Sequence, residues 1–301
     1  MKRVLTAVVL IPLVLLVVFK APLWGFALVV ALIAVLALSE YLNIAAAYAI
    51  EPLTWKTYGF ALLLISGVFA NAEGRILQSY PWVGVLFHPW AILLSVSLIF
   101  GIPVVFHREM RMALAASAIS AFGVFYIAAP LATLMLLRRD PYEGVFLFFV
   151  LLSTWAGDSA AFYVGRTFGR HMLAPVVSPK KTWEGAIASI IASVAVSLLV
   201  FHFDAPIGRM FTQKESYFYT PVGSPYHLST IHLVILGILA NIAAQLGDLF
   251  ESAIKRGAQI KDSGSLLPGH GGILDRIDAL LFAIPTVWYY ANFHAYFAGS
   301  Q

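Results

Sequence analysis

Nine stretches of predominantly apolar residues follow one another along this sequence, more than a water-soluble fold can bury. They lie at Val4–Phe19, Leu23–Leu38, Thr57–Ala72, Trp90–Phe106, Ala113–Leu137, Val145–Val164, Ala186–Phe203, His232–Leu246 and Ile277–Phe297. A helix that crosses the hydrocarbon core needs about 20 such residues, within a range of about 17–25. The shorter runs, especially the first three, recruit flanking Trp, Tyr and Lys at the interface. The composition agrees: 60% of residues are hydrophobic and 11% charged, against roughly 45–50% and about 25% in soluble domains. The expected architecture is an all-α, polytopic integral membrane bundle of about nine transmembrane helices, with eight or ten also open. Met1-Lys2-Arg3 ahead of an apolar run resembles a signal peptide, but no small-residue cleavage pattern follows, so it is read as a retained first helix.

The net charge of +4 is too slight and too dispersed for a nucleic-acid footprint, and zero cysteines remove thiolate chemistry and disulfides. Orientation follows from where the basic residues fall. With nine spans and the N-terminus inside, thirteen Lys and Arg lie on the inner side and six on the outer, the Arg138-Arg139 pair being the clearest dissent. Two inner segments, about 165–184 and about 249–278, concentrate the polar chemistry. With the adjoining helix ends they carry Asp158, Asp248, Asp262, Asp275 and Asp278, five of the seven aspartates. Residues 1–140 are accordingly read as scaffold and dimer-contact helices, and 141–301 as the catalytic region.

Asn241, Gln245, Asp248, Ser252 and Lys255 are spaced 4, 3, 4 and 3, which places them on one helix face. A charge at mid-bilayer costs at least about 2.5–3.5 kcal/mol on insertion scales, so the stripe is expected to face a cavity or cross the interface. For Asn241 and Gln245, interhelical hydrogen bonding is an equal alternative. Beyond the stripe the chain reads Lys255-Arg256, Lys261-Asp262, then Pro268-Gly269-His270-Gly271-Gly272, then Asp275-Arg276 and Asp278. Glycine-rich backbone ahead of a helix N-terminus is a plausible cradle for phosphate. Asp275 and Asp278, at i and i+3, share a face and suit a divalent cation, or act as first-turn caps. Carboxylates to hold a hard cation, beside cations to neutralise phosphate oxygens, are what a metal–polyphosphate site needs. Upstream, Asp158 sits inside an apolar run, and Ser178-Pro179-Lys180-Lys181-Thr182-Trp183-Glu184-Gly185 reads as a shaped loop suited to a ligand. No Walker A motif and no dinucleotide-binding glycine pattern occurs.

The run from Ser252 to Asp278 resembles, position for position, the signature of the phosphatidate cytidylyltransferases: S-x-I-K-R, four residues, K-D, then P-G-H-G-G-x-x-D-R-x-D. The segment from Asp158 to Gly165-Arg166 and the S-P-K-K-T-W-E-G run look like two further motifs of that family. The resemblance implies a polytopic enzyme, typically homodimeric, in the bacterial cytoplasmic membrane with its site facing the cytoplasm. Its substrates would be CTP and phosphatidic acid, and its products CDP-diacylglycerol and pyrophosphate. It implies magnesium on Asp248 and Asp275, with Asp278 in support, and allows a monovalent cation such as potassium nearby. Lys255, Arg256, Lys261 and Arg276 become the phosphate contacts. Asp158, Lys180, Lys181, Ser252, His270, Gly271 and Gly272 become substrate-binding positions.

Two other classes remain to be weighed. A cation-coupled transporter would show an inverted repeat and polar sites in both halves, whereas the polar residues here are confined to one half. A CTP-dependent lipid kinase would transfer the γ-phosphate rather than CMP.

Overall fold

The structure, a computed structural model, describes residues 2–74, 78–80, 84, 88–106, 110–139, 144–204, 206–207, 228–266 and 271–298. Helices dominate it. In chain order they are α1 (Lys2–Lys20), α2 (Leu23–Ala47), α3 (Thr54–Glu73), α4 (Pro89–Phe106) and α5 (Met110–Gly123). A π-helical turn (Val124–Ala128) carries α5 directly into α6 (Ala129–Arg139). Then come α7 (Val145–Phe168), strands β1 (Met172–Ala174) and β2 (Ser178–Thr182), α8 (Trp183–His202), α9 (Thr230–Gly257) and α10 (Leu274–Ala298).

Among the described residues, five helical stretches are long and apolar enough to cross a membrane: Leu23–Ala47, Met112–Arg138, Val145–Phe168, Trp183–His202 and Thr230–Gly257. The other apolar runs are helical as well. The membrane environment is visible in α8, whose polarity is inverted relative to a soluble helix. Ser189, Ser193 and Ser197 are buried, while Ile187, Ile191 and Leu199 are exposed. Small hydroxyl residues belong between helices in lipid, and branched aliphatic ones belong against it.

Several helices run past the apolar stretches that announce them. Helix α2 continues nine residues beyond Leu38, and α9 continues to Gly257, although the sequence pattern predicts a loop from about Leu249. At 1.5 Å per residue the 28 residues of α9 extend about 42 Å, longer than a hydrocarbon core of about 30 Å. The polar end of the helix therefore projects beyond the apolar layer.

The chain divides into two compact units, Met1–Met135 with Ile254–Arg276, and Leu136–Ala253 with Ile277–Gln301. In the first, α2 packs on α3 and on the π turn. The Tyr41 hydroxyl donates to the Ile119 carbonyl at 3.2 Å, and the Leu53 amide donates to Ser120 Oγ at 2.8 Å. Gly123 lies so close to the Tyr41 ring that a Cβ there would overlap it.

In the second unit, α7 packs along α8 through Phe146 and Phe149 against Phe201. Helix α8 meets α9 through the serine stripe. Ser193 Oγ donates to the Gly237 carbonyl at 2.9 Å, and Ser197 Oγ to the Leu233 carbonyl at 2.8 Å. A Cβ on Gly237 would strike the Val194 backbone, and one on Gly247 would strike the backbone of α10 at Asp278 and Ala279. These are the close helix approaches that small residues permit in membranes.

The S-P-K-K-T run is a strand rather than a loop. It pairs antiparallel with β1, with Met172 opposite Thr182 and Ala174 opposite Ser178. Pro179 is tolerated because a two-stranded ribbon consists only of edges.

Candidate active-site residues

Adjacent side chains on a strand point to opposite faces, and β2 uses this to separate its two lysines. Lys180 is exposed, whereas Lys181 turns inward, and its Nζ lies 2.6 Å from Asp248 Oδ2 on α9. The strand passes directly into α8. Thr182 is the N-cap, its hydroxyl accepting the Gly185 amide at 3.2 Å, which satisfies one of the free donors of the first turn. Glu184 closes the base of the hairpin, accepting from the His171 backbone amide at 3.3 Å and pairing with His171 Nδ1 at 2.6 Å. Gly165, Gly169 and Gly185 surround Thr182, and a Cβ on Gly185 or Gly169 would meet a backbone carbonyl. The glycines of this segment let the capped turn seat against α7.

The face of α9 predicted from spacing is present, and its members divide by environment. Asn241 is buried and donates to Ser189 Oγ at 2.9 Å. Gln245 Nε2 donates to Asn241 Oδ1 at 2.6 Å and to the Ala186 carbonyl at 3.2 Å. These two residues tie α9 to α8. Farther along, Ser252 Oγ donates weakly to Asp248 Oδ1 at 3.4 Å, and the Asp248 side chain remains 34% exposed. Asp278 of α10 lies within electrostatic reach of Asp248 and of Glu251, which is buried.

A cleft of about 290 Å³ opens here, lined by Asp158, Lys181, Thr182, Ser189, Gln245 and Asp248. Asp158 is on its exposed rim. This is the low end of ligand-pocket volumes, about 300–1,000 Å³, and suits a phosphate-bearing group entering from an open side. The arrangement sets an acceptor of hard cations beside a donor to anionic oxygen.

The signature segment builds a second constellation, within the first unit. Lys255 Nζ donates to Asp275 Oδ1 at 2.5 Å, with 11% and 6% of the two side chains exposed. Asp275 also accepts the Ser263 amide at 3.0 Å and the Gly272 amide at 2.8 Å, both on Oδ2. Burial pushes the Asp275 carboxyl up, but the bonds from Lys255 and Gly272, the Lys255 charge and the Ser263 bond together hold it below the usual carboxylate range. Gly271 has φ +80°, a conformation that favours glycine, and a Cβ there would also overlap the Asp275 carboxylate. Gly272 is excluded from larger residues by Ser263 Oγ and the Glu40 carboxylate.

Around this core Arg256, Lys261, Asp262 and Arg276 are exposed, and the Arg256 guanidinium donates to the Ile260 carbonyl at 3.3 Å. His270 lies outside the described residues. Asp275 and Lys255 belong to the first unit, and Asp248, Lys181, Ser252 and Asp278 to the second.

Among the described residues, no group of three or more His, Asp or Glu side chains is arranged to hold a metal. Magnesium, however, commonly binds through one or two carboxylates plus substrate phosphates. Asp248 suits that mode, being a hard oxygen donor facing an open cleft. The Asp275 oxygens already accept three donors.

Two residues that organise these sites carry no motif of their own, whereas Thr182 falls within the S-P-K-K-T-W-E-G run. Ser263 lies among unremarkable loop residues. Glu40 is signalled by being a carboxylate beside an apolar run.

The chain matches the cytidylyltransferase family over residues 1–294. The chain belongs to that family. It is 31% identical over 302 residues to a phosphatidate cytidylyltransferase of Haemophilus influenzae, covering 97% of this chain and 98% of the relative. It is 39% identical over 176 residues to the protein of that name in Brucella suis, covering 58% of this chain and 57% of the relative. With the Bacillus subtilis protein of the same name it shares 36% identity over 150 residues, 50% of this chain and 48% of the relative.

Proposed function

We propose that this membrane protein transfers CMP from CTP to phosphatidic acid, forming CDP-diacylglycerol and pyrophosphate. Family membership gives the class of reaction, and full-length similarity to a relative named for this activity gives the lipid acceptor. One structural observation supports the chemistry: the Lys181–Asp248 pair at the mouth of the cleft. It joins the two charge types that the reaction must separate, an anion for a cation and a cation for phosphate.

The acceptor explains why no general base is conspicuous. A phosphomonoester has a second pKa near ~6 and is largely dianionic at neutral pH. Its oxygen attacks the α-phosphorus of CTP, one P–O bond forms, and the α–β P–O bond breaks. The electron pair leaves with pyrophosphate, and no proton need be removed first. What remains for the protein is to gather two polyanions and stabilise the charge that shifts between them.

In this reading Asp248 is the carboxylate that would hold magnesium, with Ser252 orienting it and Asp278 adding negative potential. Magnesium bound there would neutralise phosphate oxygens and favour departure of pyrophosphate. Lys181, beside Asp248 at the cleft, would be the ammonium that meets phosphate. Within the first unit, Lys255, fixed by Asp275, would be a phosphate contact, as would Arg256, Lys261 and Arg276. Asp158 positions a substrate at the rim.

The charge distribution of the loops supports placing these segments on the cytoplasmic side of the bacterial inner membrane, where CTP is available. The homodimer usual in the family is part of the same proposal.

The test is label transfer from CTP into extractable lipid with phosphatidic acid and magnesium. Label from α-labelled CTP enters lipid, whereas label from γ-labelled CTP does not. Entry of the γ-label would make the protein a lipid kinase instead. Asp248→Asn is expected to abolish transfer while the protein remains folded.

A further inference from the structure

The carboxylate of Glu40 is buried at the far end of α2, and its bonds lead into the signature segment more than two hundred residues later. Oε2 accepts from Ser263 Oγ at 2.9 Å and from the Leu274 amide at 2.8 Å. Oε1 accepts from the Ile273 amide at 3.0 Å. The two amides stand at the start of α10, where backbone donors lack intrahelical partners and the helix dipole favours an anion. Glu40 thus caps α10 from another helix.

That cap is coupled to Asp275 through Ser263. The same Ser263 Oγ that donates to Glu40 accepts the Asp275 amide at 3.3 Å, while the Ser263 amide donates to the Asp275 carboxylate. Asp275 in turn holds Lys255. The glycines nearby fit the same geometry, since a Cβ on Gly264 or Gly272 would intrude on the Glu40 carboxyl. Every member lies in the first unit.

A buried carboxylate is costly unless its oxygens are satisfied, so Glu40 and the turn it caps depend on one another. We infer that Glu40 is a positioning residue of the transfer reaction: through Ser263 and the Ile273–Leu274 amides it fixes Asp275, and thereby the Lys255 ammonium that meets phosphate. The inference rests on the transferase reading above. It gives α2, otherwise a scaffold helix, a direct part in ordering the signature.

The test compares wild type with Glu40→Gln, Ser263→Ala and the double variant, purified in lipid–detergent micelles. Three quantities are measured: kcat, KM for each substrate, and amide hydrogen exchange across residues 271–276. An amide in place of the carboxylate turns a donor toward one of the two N–H groups, which Oε1 and Oε2 accept separately, so exchange within 273–274 rises in Glu40→Gln while α2 stays protected. A displacement of about 1 Å costs on the order of a hundredfold in rate. The expected fall in kcat is therefore roughly ten- to a hundredfold in Glu40→Gln, with KM for CTP little changed. Glu40→Asp, which keeps the charge, recovers part of it.

In the double variant the losses are less than multiplicative, because both act through one network. Unchanged exchange at 273–274, multiplicative losses, or full activity in a folded Ser263→Ala would each overturn the proposal. The last holds even where Glu40→Gln fails to fold. A wild type that labels no lipid overturns the transferase reading and this proposal with it. A failure of Glu40 alone appears only in variants of an active wild type.

Discussion

Lys181 and Asp248 form an ion pair of 2.6 Å between strand β2 and helix α9, at the lip of a cleft. About a quarter of one side chain and a third of the other are exposed, so water screens the pair. Such pairs contribute only about 0–1 kcal/mol to stability. Their placement beside the cleft therefore argues for chemistry rather than for holding the fold together. Lys181→Met is expected to leave the thermal midpoint nearly unchanged and to lower kcat/KM by roughly a hundredfold, as loss of one preorganised charge-stabilising donor does. Unfolding scans and label-transfer kinetics on the same preparation check both halves. A large drop in midpoint with normal turnover would assign the pair to stability instead.

Asp275 predicts a dependence of stability on pH. Its carboxyl, ahead of the α10 span, is held below the usual carboxylate range. A depressed folded-state pKa contributes stability that is fully present above the unfolded value, and that is lost as pH falls through the folded value. Thermal midpoints measured from neutral pH downward should therefore decline below the ordinary carboxylate range, with part of that decline traceable to this residue. Asp275→Asn should flatten that part of the profile. It should also lower stability at neutral pH, because it removes the Asp275 charge from beside the buried Lys255 ammonium. A midpoint at neutral pH equal to that of wild type would contradict the buried pair.

Gly271 and Gly272 give a prediction in which two causes can be separated. Gly271→Ala is strained by its positive φ and by the nearby Asp275 carboxylate, whereas Gly272→Ala fails through overlap with Ser263 and Glu40. Overpacking of this kind costs about 1–3 kcal/mol. Gly272→Ala combined with Ser263→Gly should recover part of its loss, because one of the two obstructions is gone. The same second change should not rescue Gly271→Ala. Thermal midpoints of the four variants decide it.

Much of this arrangement is legible in the sequence. The 4, 3, 4, 3 spacing from Asn241 to Lys255 does describe one helix, and the apolar runs do fall on helices. Hydropathy marks where lipid is, however, and not where a helix stops. The apolar run ends at Leu38 and leaves Glu40 outside it, although helical backbone continues to Ala47 and carries that carboxylate into the signature loop. The S-P-K-K-T run hides its strand for another reason. A proline and two lysines are poor strand formers, and pairing with β1 outweighs their propensity. Spacing likewise shows that Gly271 and Gly272 are small, but not that the Gly272 amide is given to Asp275.

The polar stripe on α9 offers a last division of labour. Asn241 is buried, bonded to Ser189 and Gln245, and does not line the cleft, whereas Asp248 lines it and stays partly exposed. Asn241→Ala should therefore act on the α8–α9 contact. It takes from buried Ser189 Oγ the donor it accepts, at a cost of about 1–3 kcal/mol for a buried polar group, and leaves the Gln245 amide only its longer bond to the Ala186 carbonyl. Turnover per folded molecule should stay within about twofold of wild type, since surviving molecules keep the cleft. Asp248→Asn should do the reverse, holding the midpoint and removing turnover. Two residues seven positions apart on one helix face would then separate stability from catalysis. Loss of turnover in a folded Asn241→Ala would instead extend the active site two turns deeper into the membrane.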